Sequence, residues 1–414
     1  MTALLDLLLQ TARSLRAHAL RFSLTSLCIF WGAAMLTFLS ASATGTEQGF
    51  RQQLARTGPK IVWVMPGVIV KDRVGERGAR PLELEVEDVE RVARLDIAEQ
   101  TSVDNELWNR LVRAGRRTKL LEVSGLDAAG AEIRNFQAAA GRMFLPFEVE
   151  RGTRVAFLGA DSAERLFGRA PAVGKTIHID SVPFRVVGVA ERKGDQLIYF
   201  GAADDRLVLV PRTAARRWLS RSDVIQKFLV APRTREESEL AIQGVRSVLS
   251  LHHAFEPTSE LALAFVNVKE ISGILDALFL GLRIFLVGVG LVTLLVGAVG
   301  VMNIMLVVVG ERIQEIGLRK AVGASNRAVF ALFLAEAMAV STLSGVLGGA
   351  TGIGLIELVA RTMPAGARNI SPPLLDLEST GLVVVSLILV GMVAGFLPAL
   401  RAARVAPAES LRAR

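Results

Sequence analysis

Long apolar runs divide the chain into two kinds of sequence. Four segments are apolar over roughly the 20 residues that a membrane-crossing helix needs, and they cover residues 22–43, 282–310, 328–360 and 380–400. Between the first two, residues 44–270 alternate short strand-like and helix-like patterns. The pattern predicts an α-helical membrane protein with four transmembrane helices (TM1–TM4) and a large α+β domain inserted between helices 1 and 2.

The end of the insert has a continuous helical pattern. From Ser259 onward, no turn signal interrupts the sequence before the second apolar run ends at Gly310. We therefore expect residues 259–310 to form one helix, a stalk that continues into TM2. At 1.5 Å per residue it would be far longer than the roughly 30 Å hydrocarbon thickness of a bilayer.

Composition and charge support a membrane protein and set its orientation. The chain of 414 residues is 51% hydrophobic and 21% charged, with a formal net charge of +8. Arg and Lys concentrate before TM1, between TM2 and TM3, and after TM4, and such residues favour the cytoplasmic side. We therefore expect an N-in, C-in topology with residues 44–270 outside. The remaining segments are a short outer loop at 361–379 and a cytoplasmic tail at 401–414.

The N-terminal residues 1–21 allow two interpretations. They have the pattern of an amphipathic helix on the cytoplasmic interface, and they also fit a simple continuation of TM1. A cleaved signal peptide is disfavoured, because the apolar run at 22–43 is longer than the 7–15 residues of a signal-peptide core.

No pattern in the chain predicts catalysis, and we expect this chain not to be an enzyme. The stretch "GRAPAVGKT" at 168–176 has five residues before its Gly-Lys pair, whereas a P-loop has four, and it follows a predicted helix and precedes a strand. It is interpreted as a turn. His252 and His253 are adjacent, so they should point in different directions, and no metal site is expected. A single cysteine, Cys28, excludes an intrachain disulfide.

Polar and small residues inside the third span are candidates for function or packing. Glu336 is an intramembrane acid, for which pairing with a nearby Arg, a coupling role and proton transport are all considered. The spacings Gly345/Gly349 and Gly348/Gly352 permit close helix packing, either within the protomer or across a dimer.

The charged stretch 311–327 separates the second and third spans. In a helix, Glu311, Glu315 and Arg319 share one face, and Glu315 to Arg319 is the favourable order for an ion pair. Gly323 is a candidate helix end, with Asn326 starting the next helix. The stretch is either a solvated loop or a docking helix for a cytoplasmic partner.

Three stretches resemble one family. "ERIQEIGLRKAVGASNRAVFALFLAEA" at 311–337 resembles the segment after the second span of permeases of the macrolide-exporter and lipoprotein-releasing type, which include MacB, LolC and FtsX. Residues 152–194 are similar to the periplasmic core domain of that family, and residues 395–414 to its C-terminal ending. With TM1, the resemblance covers essentially the whole chain.

The resemblance implies a four-span ABC transporter permease of the bacterial inner membrane, with its large domain in the periplasm. That domain would have a porter-like lobe at 47–125 plus 205–260 and an inserted β-rich lobe at 126–204. A separate cytoplasmic ABC ATPase would bind ATP and Mg and drive export by mechanotransmission. Residues implied to contact it are Glu311, Arg312, Glu315, Ile316, Arg319, Lys320, Gly323 and Ala324.

The resemblance also implies partners and leaves alternatives open. A second permease protomer is expected, most simply in a homodimer, and a periplasmic adaptor with an outer-membrane channel is a further candidate. Membrane lipids are expected partners and nucleic acid is not. The alternatives to an efflux permease are a lipoprotein-releasing permease and an FtsX-like regulator or sensor without transport. FtsX-type proteins usually have a much smaller outer domain, which counts against the last.

Overall fold

A computed structural model describes residues 19–73, 76–222, 224–362 and 377–406. The chain divides into two compact units, one of residues 1–49 with 277–414 and one of residues 50–276. Most of the predicted N-terminal helix at 1–21, most of the loop at 361–379 and the end of the tail at 401–414 lie outside the described residues.

The first unit is a helical membrane region. Among the described residues, four helices are long and apolar enough to cross a bilayer. They are α1 (Ala19–Thr57), α8 (Val268–Glu311), α10 (Asn326–Thr362) and α11 (Leu377–Arg404), and a short helix α9 (Ile313–Ala321) connects the second to the third. Buried side chains from all five helices form one apolar core, which includes Ile29, Leu294, Ile316, Phe333 and Leu387.

Each membrane helix extends beyond its predicted apolar run. The largest extension is that of α1, which continues to Thr57 although its apolar run ends at residue 43. At the other end of the chain, α11 includes Arg401–Arg404, so the predicted tail begins as helix. The polar ends of these helices keep their helical backbone hydrogen bonds although they lie outside the apolar run. A hydropathy window detects only the apolar run, so it ends before the helix does.

The predicted unbroken helix over 259–310 is wrong at its start. Residues 256–262 are turns and coil, and Leu263–Asn267 is a strand, so the helix begins only at Val268. The strand pairs antiparallel with Val62–Pro66, and this pairing satisfies its backbone groups from a distant part of the chain. The helix that follows still has 44 residues, which is about 66 Å at 1.5 Å per residue.

The second unit is built on one large mixed sheet. Its strands are β1 (Val62–Pro66), β4 (Ala98–Ala114), β5 (Arg117–Leu126), β6 (Ala138–Gly141), β7 (Val155–Leu158), β8 (Thr176–Ile179), β9 (Val182–Ala190), β10 (Leu207–Pro211), β11 (Phe228–Pro232) and β12 (Leu263–Asn267). The order is β12-β1-β11-β4-β5-β10-β7-β9-β6, and β8 pairs with β4 and β9. A separate hairpin joins β2 (Val68–Arg73) to β3 (Glu76–Pro81).

Six helices connect or cover these strands. They are α2 (Val86–Ala93), α3 (Ala128–Ile133), α4 (Pro146–Arg151), α5 (Ala160–Phe167), α6 (Arg212–Ala215) and α7 (Ser238–His253). Together with the four membrane helices, the arrangement confirms the predicted fold class: a four-helix membrane protein with a large domain of helices and strands between the first and second spans.

The described part of the second unit has three buried apolar cores, and one of them combines side chains from both predicted lobes, including Trp63, Phe144 and Leu229. Of the other two cores, the first contains side chains from 62–103 and 225–263, and the second contains side chains from 107–215. The hairpin of β4 and β5 therefore contributes to the second core, and so does β10, which pairs with β5 on one side and β7 on the other. β4 is 17 residues long and contributes side chains to both of these cores.

Candidate functional site

The connection between the second and third spans is an ordered helix bounded by two breaks. Arg312, with φ −99° and ψ 12°, separates α8 from α9. At the other end, Gly323 has φ +107°, a conformation that residues with a Cβ rarely adopt. Ser325 Oγ then accepts a hydrogen bond from the amide of Ala328 at 3.2 Å, which satisfies one donor in the first turn of α10. These local signals hold α9 as a separate nine-residue helix.

One face of α9 is buried in the membrane unit. Ile316 is 3% exposed and belongs to the apolar core that α1, α8, α10 and α11 share. Ala324 packs against the same core from the turn after the helix. Burial of a side chain of this size contributes about 1.5–3 kcal/mol, so α9 is anchored and is not a solvated loop.

Lys320 ties α9 to the C-terminal end of α11. Its ammonium donates hydrogen bonds to the carbonyl oxygens of Ala403, at 2.9 Å, and Val405, at 2.6 Å. The last carbonyls of a helix have no partner within the helix, and a cation there also interacts favourably with the helix dipole. From the sequence, Lys320 could be assigned only to one face of a helix. Its contacts could not be predicted, because the two carbonyl groups are more than 80 residues away.

Arg312 and Glu336 form a second link between the connection and the third span. The Arg312 Nη1 atom lies 3.5 Å from both carboxylate oxygens of Glu336, whose side chain is 9% exposed. An opposite charge at this distance stabilises the ionised carboxylate in a buried position. The structure therefore places an arginine next to the intramembrane acid.

The opposite face of α9 is exposed and chemically mixed. Arg319 Nη2 lies 2.6 Å from Glu315 Oε1, and both side chains are partly exposed. Glu311 is exposed at the end of α8. Two large apolar side chains that sequence reasoning missed, Leu318 and Val322, are also exposed, by 58% and 83%. Their i, i+4 spacing places them on one face of a helix, and this spacing could have identified the pair from the sequence.

Two of the predicted packing glycines bring α10 close to its neighbours in the same chain. A Cβ at Gly348 would lie 2.1 Å from the Phe30 carbonyl oxygen on α1, and a Cβ at Gly345 would lie 2.4 Å from Leu387 Cδ2 on α11. Both glycines are buried. Their lack of a side chain therefore lets α10 approach α1 and α11.

Gly352 also brings α10 close to α1 of the same chain. It is buried, and a Cβ there would lie 2.8 Å from the Ala34 carbonyl oxygen and 2.9 Å from Thr37 Cβ, both on α1 of the same chain. Helix α1 of the same chain therefore occupies the space beside Gly352. Gly349 differs from the other three glycines, since its Cβ would come no closer than 3.8 Å to Thr37 Oγ1.

The stretch "GRAPAVGKT" joins α5 to β8. Gly174 has φ +84°, and Lys175 Nζ lies 5.5 Å from the centre of the Phe167 ring. The lysine therefore stacks on an aromatic side chain of its own domain, and the segment is a turn between a helix and a strand.

The fold defines a class of membrane protein with a large domain between its first two candidate spans. Comparison with known sequences identifies the family. A family model for the MacB-like periplasmic core domain matches residues 22–248, and a model for the FtsX-like permease C-terminal region matches residues 287–407. The chain belongs to the family of ABC transporter permeases with MacB-like and FtsX-like regions, which confirms the predicted membership.

The relatives include named exporters. The macrolide export ATP-binding/permease protein MacB of Bdellovibrio bacteriovorus is 30% identical over 97% of this chain and 61% of its own length. The protein of the same name from Rhodospirillum rubrum is 30% identical over 99% of this chain and 60% of its own length. The chain thus spans about three fifths of the length of these relatives. The crystal structure of the periplasmic region of MacB from Actinobacillus actinomycetemcomitans aligns with 54% of this chain and 95% of its own, with 15% identity and a TM-score of 0.43.

Proposed function

We propose that the chain is the membrane permease of an ABC-type exporter that works by mechanotransmission. In this mechanism, ATP hydrolysis at the cytoplasmic face moves α9, and the movement passes along α8 into the α/β unit. The observation that carries the proposal is the two-sided character of α9. One side is fixed to the membrane unit by Ile316 and Lys320, and the other exposes Glu315, Leu318 and Val322.

The anchored side and the exposed side of α9 together suit a helix that transmits motion. An anchored helix moves together with the helices to which it is tied, whereas a solvated loop would absorb the motion. Helix α8 continues without a break from Val268 to Glu311, directly after the sheet strand β12. Its length gives a lever along which a displacement at one end reaches the other.

We propose that ATP and Mg²⁺ are bound by a cytoplasmic ABC ATPase that docks on the exposed face of α9. The names of the relatives combine ATP binding with permease function, which supports an ATPase that works together with this permease. Docking at this face requires the N-in, C-in topology. The apolar pair Leu318 and Val322, framed by charges, is the composition expected of an interface core with a polar rim.

Macrolide export in the names of the relatives favours export over lipoprotein release and over a purely regulatory role. We propose that the permease acts as a homodimer in the bacterial inner membrane, with the α/β unit in the periplasm, where a periplasmic adaptor would hand the substrate to an outer-membrane channel. The second span supports a dimer, because its apolar window is the least buried of the four candidate spans in the described residues.

Charge reversal on α9 tests the docking proposal, and the chain provides a matched control. Glu315→Arg removes an exposed i, i+4 pair that contributes only about 0.2–0.5 kcal/mol to the helix. Glu357→Arg removes the same kind of pair, Glu357 with Arg361, at the far end of α10. A like-charge contact at an interface costs several kcal/mol, so only Glu315→Arg should lose the ATPase.

The readouts are co-purification of the ATPase subunit and ATP turnover coupled to export. We expect Glu315→Arg to insert and assemble normally but to lose its ATPase, or to retain it with ATP turnover uncoupled from export. Glu357→Arg should match the wild type in both assays. If Glu315→Arg bound the ATPase and exported substrate like the wild type, α9 would not be the docking site.

A further inference from the structure

Two helices of the α/β unit bring together three metal-binding side chains. His252 and His253 end α7, and Asp88 lies in the first turn of α2. The expectation that the adjacent histidines diverge is wrong, because their rings lie 4.9 Å apart at 81°. One donor atom from each histidine and a carboxylate oxygen of Asp88 all lie within 4.8 Å of one another.

We propose that Asp88, His252 and His253 form a binding site for a transition-metal ion of the zinc class. His253 Nε2 is 2.9 Å from one carboxylate oxygen of Asp88, and His252 Nε2 is 4.0 Å from the other. Two atoms bound to one tetrahedral zinc ion at about 2.1 Å are roughly 3.4 Å apart, a value between these two distances. Small side-chain rotations therefore bring all three donors to a common ion.

The ligand chemistry selects the kind of ion. Two imidazoles and one carboxylate suit Zn²⁺, Co²⁺, Ni²⁺ or Cu²⁺, whereas Mg²⁺ and Ca²⁺ require oxygen ligands. Three protein ligands leave a coordination position for water. The 43% exposure of the His252 side chain gives an ion access to the site from solvent.

The carboxylate is held in place by groups that need not move when a metal binds. The backbone amide of Glu85 donates to Asp88 Oδ2 at 3.0 Å, and Arg91 Nη1 donates to Oδ1 at 3.0 Å. Hydrogen bonds of this kind commonly orient the ligands of a metal from outside its coordination shell. The Asp88 side chain is 1% exposed, so its position is fixed by packing as well.

A hydrogen bond alone accounts for His253 but not for His252. An Asp–His pair requires one imidazole, and His253 already supplies it at 2.9 Å. The second imidazole stands with its Nε2 beyond hydrogen-bonding distance of Asp88. A metal ion would connect both rings to the carboxylate and join the end of α7 to the start of α2.

The test uses the full chain in detergent, purified without a polyhistidine tag and dialysed against a chelator. Titration with Co²⁺ should give one equivalent of bound ion with visible absorption bands, and Zn²⁺ should displace it while Mg²⁺ and Ca²⁺ should not. His252→Ala should weaken Co²⁺ binding at least tenfold and abolish the bands. His178→Ala, which removes a histidine from β8, should bind like the wild type.

Thermal unfolding provides the second readout and a folding control. A ligand that binds only the folded state raises the melting temperature, so Zn²⁺ should raise that of the wild type and of His178→Ala but not that of His252→Ala. Without metal, the exposed His252 is dispensable and His252→Ala should melt like the wild type. Absence of saturable Co²⁺ binding, or equal binding by His252→Ala, would overturn the proposal.

Discussion

The ammonium of Lys320 caps the last turn of α11 through the carbonyl oxygen of Ala403, 2.9 Å away. This bond joins the short helix between the second and third spans to the end of the fourth. The exposed face of α9 is thereby linked to a second membrane helix besides α8. A force applied to α9 would reach both helices.

Lys320→Met should uncouple α9 from α11. Loss of the two charge-assisted hydrogen bonds and of the favourable dipole interaction should cost about 1–3 kcal/mol locally. Hydrogen–deuterium exchange of a peptide covering residues 396–406 should become faster, and the proposed ATP-driven export should fall while the proposed ATPase partner still binds. Lys269→Met removes a comparable bond, from Lys269 Nζ to the Glu236 carbonyl at 3.0 Å in the other unit, and should leave that peptide unchanged. Unchanged exchange in Lys320→Met would disprove the cap.

Gly348→Ala and Gly349→Ala form a matched pair that tests close packing of α10. At position 348 a methyl group would overlap the Phe30 carbonyl oxygen at 2.1 Å, so α1 and α10 would have to separate. Overpacking of this kind costs about 1–3 kcal/mol, and the melting temperature in detergent should fall. At position 349 the nearest atom is 3.8 Å away, and the higher helix propensity of alanine should keep or raise the melting temperature. Equal melting temperatures for the two variants would refute the packing assignment.

Local sequence patterns predicted helices and strands well where the residues of the helix or strand themselves determine its structure. The apolar runs identified all four long helices, and the strand-like stretches around Val62, Leu207 and Phe228 are strands in the sheet. The strand at Leu263–Asn267 was missed because its partner, β1, is about 200 residues earlier and its apolar residues merge with those of the following helix.

Contacts between distant residues explain the other differences. Neither the capping of α11 by Lys320 nor the convergence of His252 on Asp88 is visible in a local pattern, since each depends on how separate helices pack. The site stretch itself was recognised from helical spacing and from its resemblance to a family. Which of its faces is buried, with Ile316 inward and Leu318 outward, came only from the packing.

The N-in, C-in topology can be tested by cysteine labelling. In a Cys28→Ala background, Arg116→Cys places a thiol in the turn between β4 and β5, and Val322→Cys places one after α9. An impermeant thiol reagent applied to spheroplasts should label the first and not the second. Detergent permeabilisation should then expose Val322→Cys, which controls for burial by a partner. Labelling of Val322→Cys in intact spheroplasts would reverse the orientation.

A buried cluster of charges in the α/β unit should make its stability depend on pH. Glu106 on β4 pairs with Lys227, the residue before β11, and the carboxyl group of Glu122 on β5 lies nearby. Burial, reinforced by the nearby carboxylate of Asp104 and opposed by Lys227, raises the pKa of Glu106 to about 7. Burial likewise raises the pKa of Glu122. A proton on Glu106 removes a buried negative charge and its repulsion with the neighbouring carboxylates, so the protonated form is favoured in the folded state.

The direction of the pH effect follows from where the proton is bound. In the unfolded chain a glutamate loses its proton near pH 4.5, whereas folded Glu106 retains it to about pH 7. Between these values the folded state binds more protons, so the free energy of unfolding should fall as pH rises, by up to about 1.4 kcal/mol per pH unit for one group. We expect the full chain in detergent to melt at a lower temperature at pH 7.5 than at pH 5.5, followed by tryptophan fluorescence. Glu106→Gln should reduce this difference, and Glu150→Gln, which removes an exposed carboxylate, should not. A pH dependence that persists unchanged in Glu106→Gln would assign it to other groups.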